Sequence, residues 1–193
     1  LEHSLRVLDN AAHIAGKERF DAATTRACML SALLHDIARF EQYRVWGTFR
    51  DQESCDHGAL SAQLLRKADA LRRESGIADC VLQAIALHNK QELPPGIGAM
   101  SRTVACVLRD SDRIDIMRVI AGHLLQKNTV LPDVIVPFAD DPALFSQPVI
   151  DCIMQKRPCS YALVKSANDF RLLVSGWFYL LEYPSARGLW ARS

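Results

Sequence analysis

An all-α bundle is the fold class this sequence predicts, and three observations predict it. Most patterned stretches place apolar residues at the three- and four-residue offsets of one helical face. The strong breaks, Ser75-Gly76 and Pro94-Pro95-Gly96, fall between those stretches rather than inside them. The one β-like run, Val134-Ile135-Val136, is short and lies between two prolines, which suits an extended connector.

Composition sets the bounds. The chain has 193 residues, 49% hydrophobic and 23% charged, an ordinary balance for a globular protein with a full core. The expected organisation is a single domain over 1–193, with a core of about 1–118 and a C-terminal helical extension of about 119–183. Formal net charge is +1, and the basic stretches RKADALRR and QKRP are short. Neither a nucleic-acid groove nor an anionic membrane is indicated as a partner. No apolar run reaches membrane-span length, and no signal-peptide pattern opens the chain. The six cysteines form no C-x-x-C pair. Cys28, Cys80 and Cys106 sit in apolar helical patterns, so reduced core thiols in a cytoplasmic protein are expected. The first residue is Leu1 rather than Met, which leaves room for residues upstream.

Taken in order, residues 1–18 read as a helix with Leu5, Leu8, Ala12 and Ala15 on one face. Residues 22–36 follow, with Ala23, Ala27, Leu30 and Leu34 as the inner face and Asp21 as N-cap. The stretch 37–53 mixes aromatics, arginines and a glycine, and predicts a turn of helix and then a loop. Ser54 or Asp56 can cap a helix running to about Glu74, with Leu60, Leu64, Ala68 and Leu71 inward. Residues 77–89 form an apolar helix whose stripe is Ile77, Val81, Ile85 and His88. Residues 100–125 make the longest helical pattern, with RDSDRIDIMR in its middle. Two more helices are expected at about 142–156 and 161–182, the second carrying Trp177, Phe178 and Tyr179 as core packing. The tail after Pro184 is expected to fray.

The chemistry gathers at LLHDIARF. A greasy helix delivers the imidazole of His35 and the carboxylate of Asp36 to the end of a buried face, where leaving both unpartnered is costly. A divalent cation would use both groups at once, because neutral imidazole and ionised carboxylate are first-row metal ligands; for the pair taken alone the plainer reading is that His35 caps the helix C-terminus and Asp36 opens a turn. His3, His57 and His88 lie on three other helices, at or near an end or on an apolar stripe. The long helix adds Asp112 from a run of three acids. Helix bundles build metal sites from inward side chains on facing helices in this way. His13 and His123 fall outside the pattern and read as structural. Asp110 and Asp115 are expected to pair locally with Arg109, Arg113 or Arg118, and Glu41 either to reach a cation or to pair with Arg44.

Read together and in order, EHSLRV, LLHDIARFEQ, DHG, ALHNK and RDSDRID resemble the HD-domain superfamily of metal-dependent phosphohydrolases. That pattern's first His, adjacent His-Asp and final Asp fall on His3, His35, Asp36 and Asp112. His57 and His88 resemble the extra ligands of members that hold two metals. The resemblance implies hydrolysis of a small nucleotide-like or other organic phosphate ester by a metal-activated hydroxide. It implies one or two ions of Mn, Fe, Co, Ni or Zn, with Asp36 bridging if there are two. Asp36 and Arg39 would carry catalysis, and Arg39 and Lys90 would bind the ester's phosphoryl oxygens, with Arg6, Arg44 and Arg50 as looser candidates. It is compatible with a homodimer. Two alternatives keep the same residues: a non-catalytic nucleotide-binding regulatory module, and a di-iron oxygenase.

Overall fold

A computed structural model describes residues 1–125, 141–157 and 159–192, leaving aside the side chains of residues 121 and 123–125. The Val134-Ile135-Val136 connector and the His123 side chain lie outside the described residues. Every regular element among the described residues is helical. The chain groups into two compact units, residues 1–115 and 116–193.

The first unit holds α1 (Glu2–Lys17), α2 (Ala22–Leu34), α3 (Arg39–Trp46), α4 (His57–Lys67), α5 (Ala78–Leu87) and the first part of α6 (Ala99–Leu125). Helices α1 and α2 pack together, α2 packs on α5, and α5 on α4. Asp21 caps α2 as expected, accepting from the Thr24 N–H at 2.7 Å. Asp56 caps α4 in the same way through Ala59. The expected stripe of α5 is the observed one, with Ile77, Val81, Ile85 and His88 all buried.

Three other stripes are rotated from the expected ones. In α1 the buried residues are Val7, Ala11, Ile14 and Ala15, while Leu5 is exposed. In α2 they are Ala27, Cys28, Ser31 and Ala32, and in α4 His57, Gly58, Ser61 and Leu65. The common cause is close helix packing. Small residues hold much of each buried face, with Val7 and Ile14 in α1 and Leu65 in α4 as its larger members. Cys80 is half-buried rather than a core thiol, and all six cysteines are free.

Helix α4 stops at Lys67 instead of running to Glu74. Asp69 takes a left-handed φ of 49°, and the N–H groups of Asp69 and Ala70 close onto the carbonyls of Arg66 and Leu65. That is a Schellman ending without glycine. Arg19 ends α1 in the same manner, with Phe20 N–H reaching the Ala15 carbonyl. Helix α3 runs two turns and ends at Gly47, whose φ is 67°. A loop with a short 3-10 turn at Asp51–Glu53 then leads to α4.

The second unit contains the remainder of α6, α7 (Gln147–Met154), α8 (Ala167–Gly176) and α9 (Pro184–Trp190). Ile120, Val164, Phe170, Leu173 and Val174 form its core, with Trp177 packed against them. The expected helix over 161–182 is interrupted. Ser166 and Asp169 form a reciprocal capping box that starts α8 afresh, and Trp177–Leu180 is a 3-10 turn in which Tyr179 is exposed. Helix α7 begins five residues later than expected, with Ser146 held by Asp169. The tail does not fray as expected. Pro184 opens α9 at a position where its missing N–H costs nothing, and Ala186 is buried.

Candidate metal centre

Five helices contribute to one cluster. His3 lies in the first turn of α1, His35 is the C-cap of α2 with Asp36 next to it, and His57 is the first residue of α4. His88 is the C-cap of α5, and Asp112 comes from the middle of α6. The rings form a continuous row, with centroids 5.3 Å apart for His3–His35, 5.1 Å for His35–His88 and 4.9 Å for His88–His57.

The hydrogen bonds fix which nitrogen of each ring carries the proton. His35 Nδ1 lies 2.8 Å from the Ala32 carbonyl, and His88 Nδ1 lies 2.7 Å from the Ile85 carbonyl. His3 Nδ1 is 2.7 Å from Asp115 Oδ2, and His57 Nδ1 is 2.6 Å from Asp51 Oδ2. Carbonyls and carboxylates only accept, so in each ring Nδ1 is the donor. In its neutral form each ring therefore turns a lone pair on Nε2 toward the cluster, as metal-ligating histidines do; His3 must first give up the proton that its Nε2 shares with Asp112.

Those Nε2 atoms meet the two carboxylates. His3 Nε2 lies 3.2 Å from Asp112 Oδ1, and His35 Nε2 lies 3.7 Å from the same atom and 3.6 Å from Asp36 Oδ2. His57 Nε2 is 3.5 Å from Asp36 Oδ1 and 3.0 Å from His88 Nε2. Two groupings have ligand atoms close enough to share an ion: His3, His35 and Asp112, and His35, Asp36 and His88. The residues fit a cation. His35 Nε2 is buried with no hydrogen-bond partner, and two imidazole lone pairs face one another at 3.0 Å. Both conditions are unfavourable unless positive charge lies between the groups.

The titration behaviour follows the same field. Burial works against a charge on His3, but hydrogen bonds to Asp112 and Asp115 outweigh it and raise its pKa to about 10. Burial lowers His88 to about 4. It also lowers His57, assisted by the positive charge of Arg39. Burial alone would raise Asp112, yet the His3 hydrogen bond and the surrounding imidazoles hold it well below the usual carboxylate range. Asp51 and Asp115 are also depressed despite their burial, the first chiefly by His57 and the second by His3 and Arg6.

The six ligand-type residues chosen from the sequence thus lie in one cluster, five of them in the two groupings and His57 beside them, 3.5 Å from Asp36 Oδ1. Arg39 joins them, its Nε 3.3 Å from Asp36 Oδ1. Lys90 instead pairs with Asp56 at the head of α4. Glu41 pairs with Arg44, and Arg50 with Glu53, both on the surface. Asp110 lies within ion-pair distance of Arg113 as expected, but Asp115 does not pair along its own helix. It faces α1, where it takes the His3 ring and the Arg6 guanidinium. This removes Arg6 from the free cations. Sequence reasoning missed Asp51, Gln42 and Asn89. Asn89, next to His88 in ALHNK, and Gln42, the last residue of LLHDIARFEQ, carried a sequence hint, and Asp51 lies in the loop stretch that follows.

Comparison with known proteins agrees with this geometry on one point and is otherwise silent. No curated protein and no solved structure matches the chain. A family model, that of the HD domain, matches residues 1–117. Most HD-domain proteins are metal-dependent hydrolases. Since the match spans more than half of the chain and encloses every residue of the cluster, the chain belongs to the HD domain family.

Proposed function

We propose that the protein is a metal-dependent phosphohydrolase or phosphodiesterase acting on a small nucleotide-like or other organic phosphate ester. One observation carries the reading. Four imidazoles spend Nδ1 on acceptors and present Nε2 beside two carboxylates. In this reading His3, His35, Asp36 and Asp112 hold one divalent ion, and Asp36, His57 and His88 hold a second. The two oxygens of Asp36 support a bridging role, since one faces His35 and the other His57. Mixed imidazole and carboxylate ligation suits Mn, Fe, Co, Ni or Zn. A bound ion would supply Lewis acidity to water and to the phosphoryl group.

The remaining residues bind and orient. Arg39 uses Nε on Asp36 and Nη1 on Gln42, the Phe49 carbonyl and Asp51. Among the described residues no acceptor takes its Nη2, which leaves a donor for a phosphoryl oxygen. Lys90 adds positive charge more weakly, because Asp56 already shares it. His35, His57 and His88 close the inner wall against water. His3, Asp36 and Asp112 keep 29%, 20% and 17% of their side-chain surface exposed, so the ester enters from their side.

Metal analysis of the purified protein, followed by assays of nucleotides and generic phosphate esters with each ion, tests this reading. Asp36→Ala should abolish hydrolysis of bis(p-nitrophenyl) phosphate and keep the helical circular dichroism spectrum. Retained turnover would defeat the mechanism. Ion binding without turnover on any ester would point to the binding module, and a strict need for iron and dioxygen to the oxygenase.

A further inference from the structure

Asp51 lies outside the ligand set, on the loop between α3 and α4, yet it makes more hydrogen bonds than any of the six. Its carboxylate takes the His57 Nδ1 proton at 2.6 and 2.8 Å from its two oxygens. It also accepts from Gln42 Nε2 at 3.0 Å and from Asn89 Nδ2 at 3.0 Å, with Arg39 Nη1 at 3.4 Å. Gln42 is fully buried, and its amide also reaches Ser54 Oγ and the Cys55 carbonyl. Three elements therefore clamp one loop carboxylate: α3 through Arg39 and Gln42, α4 through His57, and the residue after the α5 C-cap through Asn89.

The four imidazoles divide into two kinds. His35 and His88 are oriented by carbonyls three residues back in their own helices. His3 and His57 have no such local anchor and depend on Asp115 and Asp51. Resting on the two-ion reading above, we propose that Asp51 is the positioning residue of the second ion. It fixes the His57 tautomer with the proton on Nδ1 and turns Nε2 toward Asp36 and His88. The α3–α4 loop thereby decides whether the site holds one ion or two. A carboxylate behind a ligating imidazole also raises the basicity of the ring, and losing such a partner typically costs 10–100-fold in metal affinity.

Two measurements test this. Long-range 1H–15N NMR of the ion-free wild-type protein at neutral pH reads the tautomer directly. Expected is His57 protonated on Nδ1; protonation on Nε2 overturns the proposal, whatever any variant does. Calorimetric titration with Mn(II) then compares wild type with Asp51→Asn and Asp51→Glu. Wild type should take up two ions. Asp51→Asn should bind the first at near wild-type affinity and the second about 10–100-fold more weakly, and Asp51→Glu should recover part of that loss. A carboxylate that merely anchored the loop would lower the melting temperature without separating the two ions. Two ions at wild-type affinity in Asp51→Asn overturn the proposal. A wild-type protein that takes up no ion defeats the hydrolase reading instead, and the tautomer still decides the role of Asp51.

Discussion

Replacing Gly58 by alanine adds one methyl group where α4 meets α5, and its consequence can be worked from the structure. A Cβ on Gly58 would lie 2.9 Å from the Ile85 carbonyl oxygen and 2.9 Å from Asn89 Oδ1. Ordinary contact begins near 3.4 Å, so the helices must separate by about half an ångström. Asn89 can swing aside, but the Ile85 carbonyl is helix backbone. Overpacking of this kind costs roughly 1–3 kcal/mol, and alanine returns about 1 kcal/mol over glycine in a helix. The net loss is then about 0–2 kcal/mol, a fall of a few degrees in melting temperature. The effect on the site should be larger. The Ile85 carbonyl orients His88, and Asn89 holds both Asp51 and Asp56. Gly58→Ala should therefore weaken ion binding at least tenfold while unfolding only slightly earlier in EDTA. Thermal denaturation with and without Mn(II), together with calorimetric titration, measures both. Unchanged ion affinity in a folded Gly58→Ala protein would refute the claim that this close approach sets the geometry of His88.

Two further outcomes follow from the hydrogen-bond networks. His3 in the ion-free protein holds its proton up to about pH 10, so ion uptake at pH 8 should release that proton and affinity should rise with pH below 10; Asp115→Asn should shrink the release and weaken binding about 10–100-fold, and a pH-independent affinity would refute the role of His3. In the second unit, Asp169 accepts from Ser146 N–H and Oγ and from the N–H groups of Lys165 and Ser166. Although burial would raise its pKa, those bonds lower it to about 2. Its stabilisation, about 2 kcal/mol, is complete above the ordinary aspartate pKa and disappears as the pH falls through about 2. Urea denaturation between pH 5 and 2 should show this loss in wild type and not in Asp169→Ala.

The four clustered histidines and Asp36 were legible from sequence because their chemistry and their helix-end positions coincide, and Asp112 because it stands in a run of acids on the longest helical pattern. The α5 stripe was legible because Ile77, Val81 and Ile85 are large, apolar and in fact buried. The α1 and α2 faces were legible only in part: Ala15 and Ala27 are buried as expected, but Leu5 is exposed, and Val7, Ala11, Ile14, Cys28, Ser31 and Ala32 fill the rest of the two inner faces. Asp115 was misassigned because helical spacing offers it nearby arginines; its real partners lie more than 100 residues earlier, and no periodicity reports such a contact. Asp51 was invisible for the related reason that loop residues have no period. The tail after Pro184 was expected to fray, whereas proline is suited to open a helix and does so here.

The His35 and His88 rings owe their orientation to carbonyls only three residues away, so each can be set as soon as its own helix forms. His3 is the opposite case, because Asp115 lies 112 residues further along the chain. During synthesis His3, the first residue of the cluster to be made, therefore waits for Asp115, the last residue that steadies the cluster. A growing chain carries half-built imidazole pairs throughout, but the full constellation closes only when the far end of the first unit has been made. The order of synthesis therefore sets when the cluster is complete.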